Sequence, residues 1–309
     1  MSAAPSVRAI RAADLPAVAG VAVEHRWVAL PDGTRLHVAE AGAADARPLV
    51  LVHGWPQHWW AWRRVLPALA RERRVICPDL RGLGWSDAPP GAYTKEGWAA
   101  DLLALLDVLG LDRPDVVGHD WGGLAVLLAA LRAPERLRSV AAVSIVHPWP
   151  GAPAPSPRAL APLAYQLPLA LPVAGAGLLE RVPVLVRELI RRGSGPGHRW
   201  TDAELATYSD VLRGPARARA SSAVYRTFLL RELAPLARGR YAAERLRVPT
   251  LMLTGAADPV VGPAALAGLA RHADAPARTA VIPRAGHFLP EEAPEALLEA
   301  LEPHLAATG

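Results

Sequence analysis

Short apolar runs alternate with amphipathic segments along most of the chain, and this alternation predicts strands followed by helices. The first two strands flank the turn Pro31-Asp32-Gly33, which is typical of a hairpin. Predicted strands cover residues 23–30, 35–39, 48–52, 74–77, 116–117, 139–145, 248–254 and 279–282. Predicted helices cover residues 59–72, 95–109, 124–133 and 294–305. Repeated units of this kind predict a mostly parallel central sheet flanked by helices.

The pattern changes in the middle of the chain. Residues 147–157 are dense in proline, and residues 158–246 have helical periodicity without a strand pattern. Strand character returns at residue 248. We therefore expect an α/β core formed by residues 1–146 and 247–309, interrupted by a helical cap domain at residues 147–246.

Composition narrows the functional classes. The chain has 309 residues, of which 51% are hydrophobic and 20% charged, so it has enough apolar side chains for a large globular core. The net charge of +5 comes from arginines spread along the chain, with Lys95 the only lysine, and this distribution argues against a nucleic-acid partner. Cys77 is the only cysteine, and no H-E-x-x-H motif occurs, so we expect neither a disulfide, a metal nor a cofactor.

No segment has the pattern of a membrane anchor. Prolines and charges interrupt the most apolar stretch, residues 159–190, whereas a span needs roughly 20 mostly apolar residues. Arg8, Arg11 and Asp14 likewise interrupt the first segment, so no export signal is predicted. We expect a cytoplasmic protein without a membrane partner, either a monomer or a homodimer.

The run Gly118-His119-Asp120-Trp121-Gly122-Gly123 follows a predicted strand and precedes a helix. It has the layout of a nucleophile elbow, with Asp120 where a serine usually stands. A carboxylate attacks saturated carbon that carries a leaving group and forms an alkyl ester. The alternative is that Asp120 only caps the following helix.

Two more residues follow later strands. Asp258 comes after the strand at residues 248–254, and His287 comes after the last strand. Alone, Asp258 is compatible with an ordinary turn and His287 with a structural histidine. Together with Asp120 they occur in the order nucleophile, acid, histidine, which favours a catalytic triad.

The run His53-Gly54-Trp55-Pro56 follows the strand expected beside the elbow strand. We expect the backbone N–H groups of Trp55 and Trp121 to form an oxyanion hole for Asp120 during ester hydrolysis. Pro56 is expected to make this turn rigid, and a cis bond is one way to do so.

The chain resembles the α/β-hydrolase fold from about residue 23 onward, and within it the epoxide hydrolase and haloalkane dehalogenase branch. The resemblance rests on the elbow, on His53-Gly54-Trp55-Pro56, on Asp258 and His287, and on the run Asp79-Leu80-Arg81-Gly82-Leu83-Gly84-Trp85-Ser86-Asp87. It implies a central, mostly parallel sheet with an inserted helical cap.

The epoxide hydrolase resemblance also implies two cap tyrosines that hydrogen-bond the epoxide oxygen. Tyr165 and Tyr225 match best, although Tyr208 and Tyr241 also lie in the predicted cap. The implied reaction opens a small apolar epoxide to a vicinal diol through an Asp120 ester, which water activated by His287 and Asp258 then hydrolyses.

Three alternative functions differ from this one in the residues that they require. A haloalkane dehalogenase commonly uses a tryptophan after the nucleophile, as Trp121 is, but also an asparagine where this chain has Trp55. A fluoroacetate dehalogenase carries arginines after the nucleophile, where this chain has Trp121 and Leu124. A non-catalytic ligand-binding relative is disfavoured because the nucleophile, acid and histidine are all present.

Overall fold

The computed structural model describes residues 14–149 and 163–307. Within these residues, eight strands form one sheet in the order β1-β2-β4-β3-β5-β6-β7-β8. The strands are β1 Glu24–Ala29, β2 Arg35–Ala41, β3 Arg47–Val52, β4 Arg73–Pro78, β5 Asp115–His119, β6 Ser139–Val143, β7 Thr250–Gly255 and β8 Ala277–Ile282.

Strand direction determines where functional groups meet. β1 and β2 pair antiparallel, and β2 also runs antiparallel to β4. From β4 through β3, β5, β6 and β7 to β8, all pairings are parallel. The loops after β3, β5, β7 and β8 therefore meet at one edge of the sheet, which is where ligands bind in open α/β sheets.

Helices cover the sheet and fill the interval between β6 and β7. They are α1 Leu66–Leu69, α2 Lys95–Val108, α3 Trp121–Arg132, α4 Gln166–Ala170, α5 Ala174–Arg181, α6 Pro183–Gly193, α7 Asp202–Val211, α8 Pro215–Thr227, α9 Leu233–Ala237, α10 Leu289–Glu292 and α11 Pro294–Ala306. A π-helical turn, Phe228–Glu232, joins α8 to α9. We propose that α4 to α9 belong to the cap domain expected at residues 147–246.

The sheet is apolar on both faces. In β3, Val50 and Val52 pack into the core on one face, whereas Leu49 and Leu51 pack into the core on the other. All four side chains are buried. Since successive strand residues point to opposite faces, a continuous apolar run is what a strand covered by helices on both sides requires.

Every predicted strand is present, but one predicted helix is wrong. Residues 59–72 form a 3₁₀ turn, Trp59–Trp62, and then the single-turn helix α1. Pro67 explains the break, because proline has no N–H to donate and fits only in the first turn of a helix, where it stands in α1. Of the proline-dense stretch, residues 150–162 lie outside the described residues.

In the part of the chain that the structure describes, no helix combines the length and apolarity needed to cross a bilayer.

The turn from β5 to α3 depends on a close backbone approach at Gly122. A Cβ atom there would lie 2.1 Å from the carbonyl oxygen of His53. We therefore expect Gly122→Ala to lower the free energy of unfolding by about 2 kcal/mol, since backbone cannot move aside as a side chain can. Urea denaturation measures this.

Gly262→Ala is the matched control, because a Cβ at Gly262 meets nothing within 4 Å and its φ is −66°. Equal stability of the two variants would contradict the steric argument.

Candidate active site

Asp120 lies between β5 and α3 in a strained backbone conformation, with φ 50° and ψ −130°. Its N–H donates to the carbonyl of Val143 in the neighbouring strand β6, at 2.9 Å. The carboxylate makes no capping hydrogen bond to the helix that follows. Asp120 thus has the geometry of an elbow residue, and the helix-cap alternative does not explain it.

His287 lies between two carboxylates. Its Nδ1 is 3.0 Å from Oδ2 of Asp258, and its Nε2 is 3.6 Å from Oδ1 of Asp120. Asp258 is itself oriented, because its Oδ1 accepts hydrogen bonds from the N–H groups of Val260 and Val261 at 2.7 and 2.9 Å. The three residues expected from the sequence are brought together in the order nucleophile, histidine, acid.

Neighbouring charges shift the pKa values of His287 and Asp258. Burial alone would lower the pKa of His287, but the negative charge of Asp258 and hydrogen bonds to both carboxylates outweigh it, and the pKa is raised. Burial likewise opposes ionisation of Asp258, yet His287 and the two backbone N–H donors lower its pKa. In the free protein the imidazole is therefore charged at neutral pH, beside the ionised carboxylate of Asp258.

Trp55 supplies a hydrogen-bond donor to the Asp120 carboxylate. Its backbone N–H lies 2.9 Å from Oδ2 of Asp120. The Trp55–Pro56 peptide bond is cis, in agreement with a fixed turn. Trp121 is the first residue of α3, so its N–H is one of the first-turn amides that have no partner within a helix. It remains the proposed second donor.

Tyr165 and Tyr225 come from separate helical segments but meet above the elbow. Their hydroxyl oxygens are 3.2 Å apart. Trp55 stacks against the Tyr165 ring at 5.9 Å and meets the Tyr225 ring edge-on at 5.0 Å. Burial, reinforced by the negative charge of Asp120, raises the pKa of both phenols, so both stay protonated and able to donate at neutral pH.

The other two cap tyrosines have different partners. The hydroxyl of Tyr208 donates to Glu291, and that of Tyr241 donates to Glu96. Their positions therefore leave Tyr165 and Tyr225 as the pair near Asp120.

Two cavities meet at this group of residues. The larger, of about 590 Å³, is bounded by Asp120 and Tyr165 and is otherwise mostly apolar. Its apolar lining includes Trp121, Leu124, Ile145, Trp149, Leu163, Phe228, Leu233, Leu236 and Val261. The second, of about 460 Å³, adjoins Trp55, Tyr165 and His287. Among the described residues there is no cluster of His, Cys, Asp or Glu that would hold a metal ion.

Comparison with known proteins identifies the family. The family model described as the alpha/beta hydrolase fold matches residues 47–294. The chain belongs to the α/β hydrolase fold family. An eight-stranded, mostly parallel sheet in the described residues agrees with that membership.

Within this family the chain resembles several epoxide hydrolases. It is 50% identical over 95 residues to the soluble epoxide hydrolase of Corynebacterium sp. strain C12, and 41% identical over 126 residues to bifunctional epoxide hydrolase 2 of Sus scrofa. These matches cover 31% and 40% of this chain but only 32% and 22% of the two relatives. The solved structure of epoxide hydrolase CorEH without ligand matches with a TM-score of 0.81 and 26% identity, over 93% of this chain and 100% of that chain.

Two residues of this α/β hydrolase site were missed in the sequence. The Nε2 of His119 donates a hydrogen bond to the carbonyl of His287, at 2.8 Å. It therefore holds the backbone of the loop that carries His287, called the histidine loop below. Asp79 accepts hydrogen bonds from the N–H groups of Trp59 and Trp85 at 2.7 and 2.9 Å. These bonds hold the segment that follows the run His53-Gly54-Trp55-Pro56. The sequence offers one signal for each: His119 lies inside the elbow motif, and Asp79 is the first residue of the Asp79–Asp87 run.

The charge balance around His287 can be tested directly. Asp258→Asn removes the carboxylate that contributes most to raising the His287 pKa, so we expect that pKa to fall. Titration of the ¹⁵N-labelled imidazole by NMR measures it.

Asp274→Asn is the control, since Asp274 pairs with Arg245 on the exposed surface. An unchanged His287 pKa in Asp258→Asn would mean that Asp120, and not Asp258, holds that pKa above its ordinary value.

Proposed function

We propose that this α/β hydrolase is an epoxide hydrolase that opens an apolar epoxide to a vicinal diol through an ester of Asp120. The observation that supports this proposal best is the pair of hydroxyls of Tyr165 and Tyr225, which lie 3.2 Å apart beside the Asp120 carboxylate. A carboxylate nucleophile supplies the attacking oxygen, and two neutral phenols supply donors for the ring oxygen. The epoxide hydrolases among the relatives support the same assignment.

In the first step an oxygen of Asp120 attacks one epoxide carbon, and the bond between that carbon and the ring oxygen breaks. The electron pair of the broken bond goes to the ring oxygen, which takes a proton from Tyr165 or Tyr225. The product is a hydroxyalkyl ester of Asp120. Because both phenols have raised pKa values, they hold their protons until an alkoxide develops beside them.

Formation of the ester changes the histidine. Esterified Asp120 has no charge, so one of the two carboxylates that raise the His287 pKa is gone. His287 then gives up its proton, which passes through water to the tyrosinate, so the tyrosine that protonated the ring oxygen is neutral again. The neutral imidazole, oriented by Asp258, is ready to act as a base.

In the second step His287 takes a proton from water, and the resulting hydroxide adds to the ester carbonyl. The Trp55 N–H, which lies 2.9 Å from Oδ2 of Asp120, stabilises the oxyanion, and we propose the Trp121 N–H as its partner. When the tetrahedral intermediate collapses, the bond between the carbonyl carbon and the substrate oxygen breaks. The departing oxygen takes the proton of the new carboxyl group, which releases the diol and restores the Asp120 carboxylate. His287 is again protonated, so atoms and charges return to the starting state.

An apolar substrate fits the larger cavity. Leu124, Ile145, Phe228 and Leu236 line it, and a charged substrate group there would lose its hydration without a matching partner. We propose epoxides whose substituents are hydrocarbon chains or rings.

The decisive experiment traps the ester. We expect His287→Gln, incubated with a panel of apolar epoxides, to gain the full mass of the epoxide in intact-protein mass spectrometry, since ring opening needs no base from His287. The wild type should convert the same epoxides to diols without accumulating the adduct.

The control variant shows which residue carries the ester. The adduct should be missing in the His287→Gln, Asp120→Ala double variant. An adduct with the mass of an alkyl group without halide, formed from haloalkanes alone, would instead assign a dehalogenase. Binding of epoxides without any adduct or turnover would assign a non-catalytic relative.

The tyrosine pair gives a second test. Tyr165→Phe, Tyr225→Phe should slow ester formation by about 10²- to 10⁴-fold, the usual contribution of a positioned proton donor. Rapid-quench mass spectrometry in the His287→Gln background measures this step alone.

Tyr208→Phe, Tyr241→Phe is the matched control, because those hydroxyls bind Glu291 and Glu96. If both double variants slow ester formation equally, the Tyr165 and Tyr225 hydroxyls have no special part in ring opening.

A further inference from the structure

Lys95, the only lysine among 34 basic residues, is buried between the core and the predicted cap. It is the first residue of α2. Its Nζ donates to Oε2 of Glu232 at 2.9 Å, and its backbone N–H donates to Oε1 of the same carboxylate at 2.8 Å. Since Glu232 ends the π-helical turn after α8, one ion pair joins the two parts of the molecule.

Aromatic rings surround the ammonium group. Nζ lies 4.3 Å from the centre of the Trp121 ring, 5.1 Å from that of Phe228 and 5.6 Å from that of Trp98. Phe228 in turn packs against Trp121 at 4.7 Å. A cation over an indole face at this distance is an attractive contact, and it is stronger where water is excluded.

Trp121 connects this cluster to the reacting groups. It directly follows Asp120, and its ring lines the larger cavity. Burial raises the pKa of Tyr225, and a hydrogen bond from the Trp121 side chain acts in the opposite direction. Phe228, which lies three residues after Tyr225 and directly follows α8, packs its ring against Trp121, so the indole lies close to the Tyr225 end of α8 while its face carries the ammonium.

We propose that Lys95, held by Glu232, is a positioning residue for ring opening: its ammonium fixes the Trp121 indole so that the indole N–H meets the Tyr225 hydroxyl. This inference rests on the proposed function. A cation on the ring face also draws electron density from the indole, which makes its N–H a stronger donor. Tyr225 is then both oriented and better able to give its own proton to the ring oxygen.

The shape of the charged group is important here. An ammonium is a compact charge that fits among three rings, whereas a guanidinium is a broad plane that needs several hydrogen-bond acceptors. Arginine elsewhere in the chain forms ion pairs, for example Arg63 with Glu204 and Arg81 with Asp101. We therefore expect Lys95→Arg not to replace lysine at this position.

The contact itself can be tested without any turnover. The indole N–H resonance of Trp121, assigned with Trp121→Phe in ¹⁵N-tryptophan-labelled protein, should shift in Lys95→Met. It should not shift in Tyr241→Phe, which removes a hydrogen bond to Glu96, the next residue of the same helix, without touching Trp121. An unchanged Trp121 resonance in Lys95→Met would overturn the proposed contact.

The role in ring opening is tested by a double-mutant cycle on the rate of ester formation, with His287→Gln as the background. We expect Lys95→Met to slow this rate about tenfold when Tyr225 is present and less than about twofold in Tyr225→Phe, because the effect passes through that hydroxyl. Lys95→Arg should behave like Lys95→Met, and Tyr241→Phe should leave the rate unchanged. Equal effects of Lys95→Met with and without Tyr225 would reduce Lys95 to a structural link between core and cap.

A second variant keeps the test valid if loss of the lysine leaves Glu232 buried, uncompensated and destabilising. Lys95→Met, Glu232→Gln removes both charges and keeps an oxygen for the Lys95 backbone N–H, and the same dependence on Tyr225 is expected. If no epoxide forms an ester in His287→Gln, the proposed function fails and the role in ring opening falls with it. A Trp121 shift in that case separates this failure from a wrong placement of Lys95.

Discussion

The candidate site depends on a close backbone contact between the segments that follow two neighbouring parallel strands, β3 and β5. Gly122 lets the start of α3 approach the His53 carbonyl, and Gly54 leaves room for the nucleophile, since a Cβ at Gly54 would lie 2.5 Å from Oδ2 of Asp120. This approach brings the Trp55 N–H within 2.9 Å of the carboxylate. It also holds Asp120 in a conformation that costs on the order of 1–3 kcal/mol, which surrounding packing must offset. The elbow around Asp120 and the loop that carries the Trp55 N–H are therefore held in a fixed position relative to each other.

Around the elbow, two buried basic side chains, His287 and Lys95, are paired with carboxylates in different ways. His287 faces two carboxylates, and in the proposed mechanism esterification of Asp120 removes one of these charges, which lowers the His287 pKa before the second step. Among the described residues Lys95 has Glu232 as its single carboxylate partner, and no step of the proposed mechanism alters this pair. In the proposed mechanism the first arrangement sets the order of ester formation and ester hydrolysis, and the second is proposed to keep the donors for ring opening in place.

The sequence predicted the strands well because each is a short apolar run ending in a turn, and it predicted Asp120, Asp258 and His287 because each follows such a run. Because the strands before these residues are parallel, their carboxyl ends bring the three residues to one edge of the sheet. The sequence did not predict the break at Pro67 or the π-helical turn at Phe228–Glu232, where local propensity does not decide the outcome. Contacts between distant segments, such as Lys95 with Glu232, carry no periodic signal, so their partners become visible only in three dimensions.

The helical insertion is part of the site and more than a cover for it. Besides contributing Tyr165 and Tyr225, it contacts the histidine loop, where the His287 N–H donates to the Gly193 carbonyl at 2.8 Å. The Gly195 N–H donates to Glu292 at 2.6 Å, and that carboxylate also accepts the Gly286 N–H. The donors proposed for ring opening and the backbone that carries the base are thus both set by one helical layer. A displacement of that layer would disturb both steps together, so the fit between the layers has to be kept through the whole cycle.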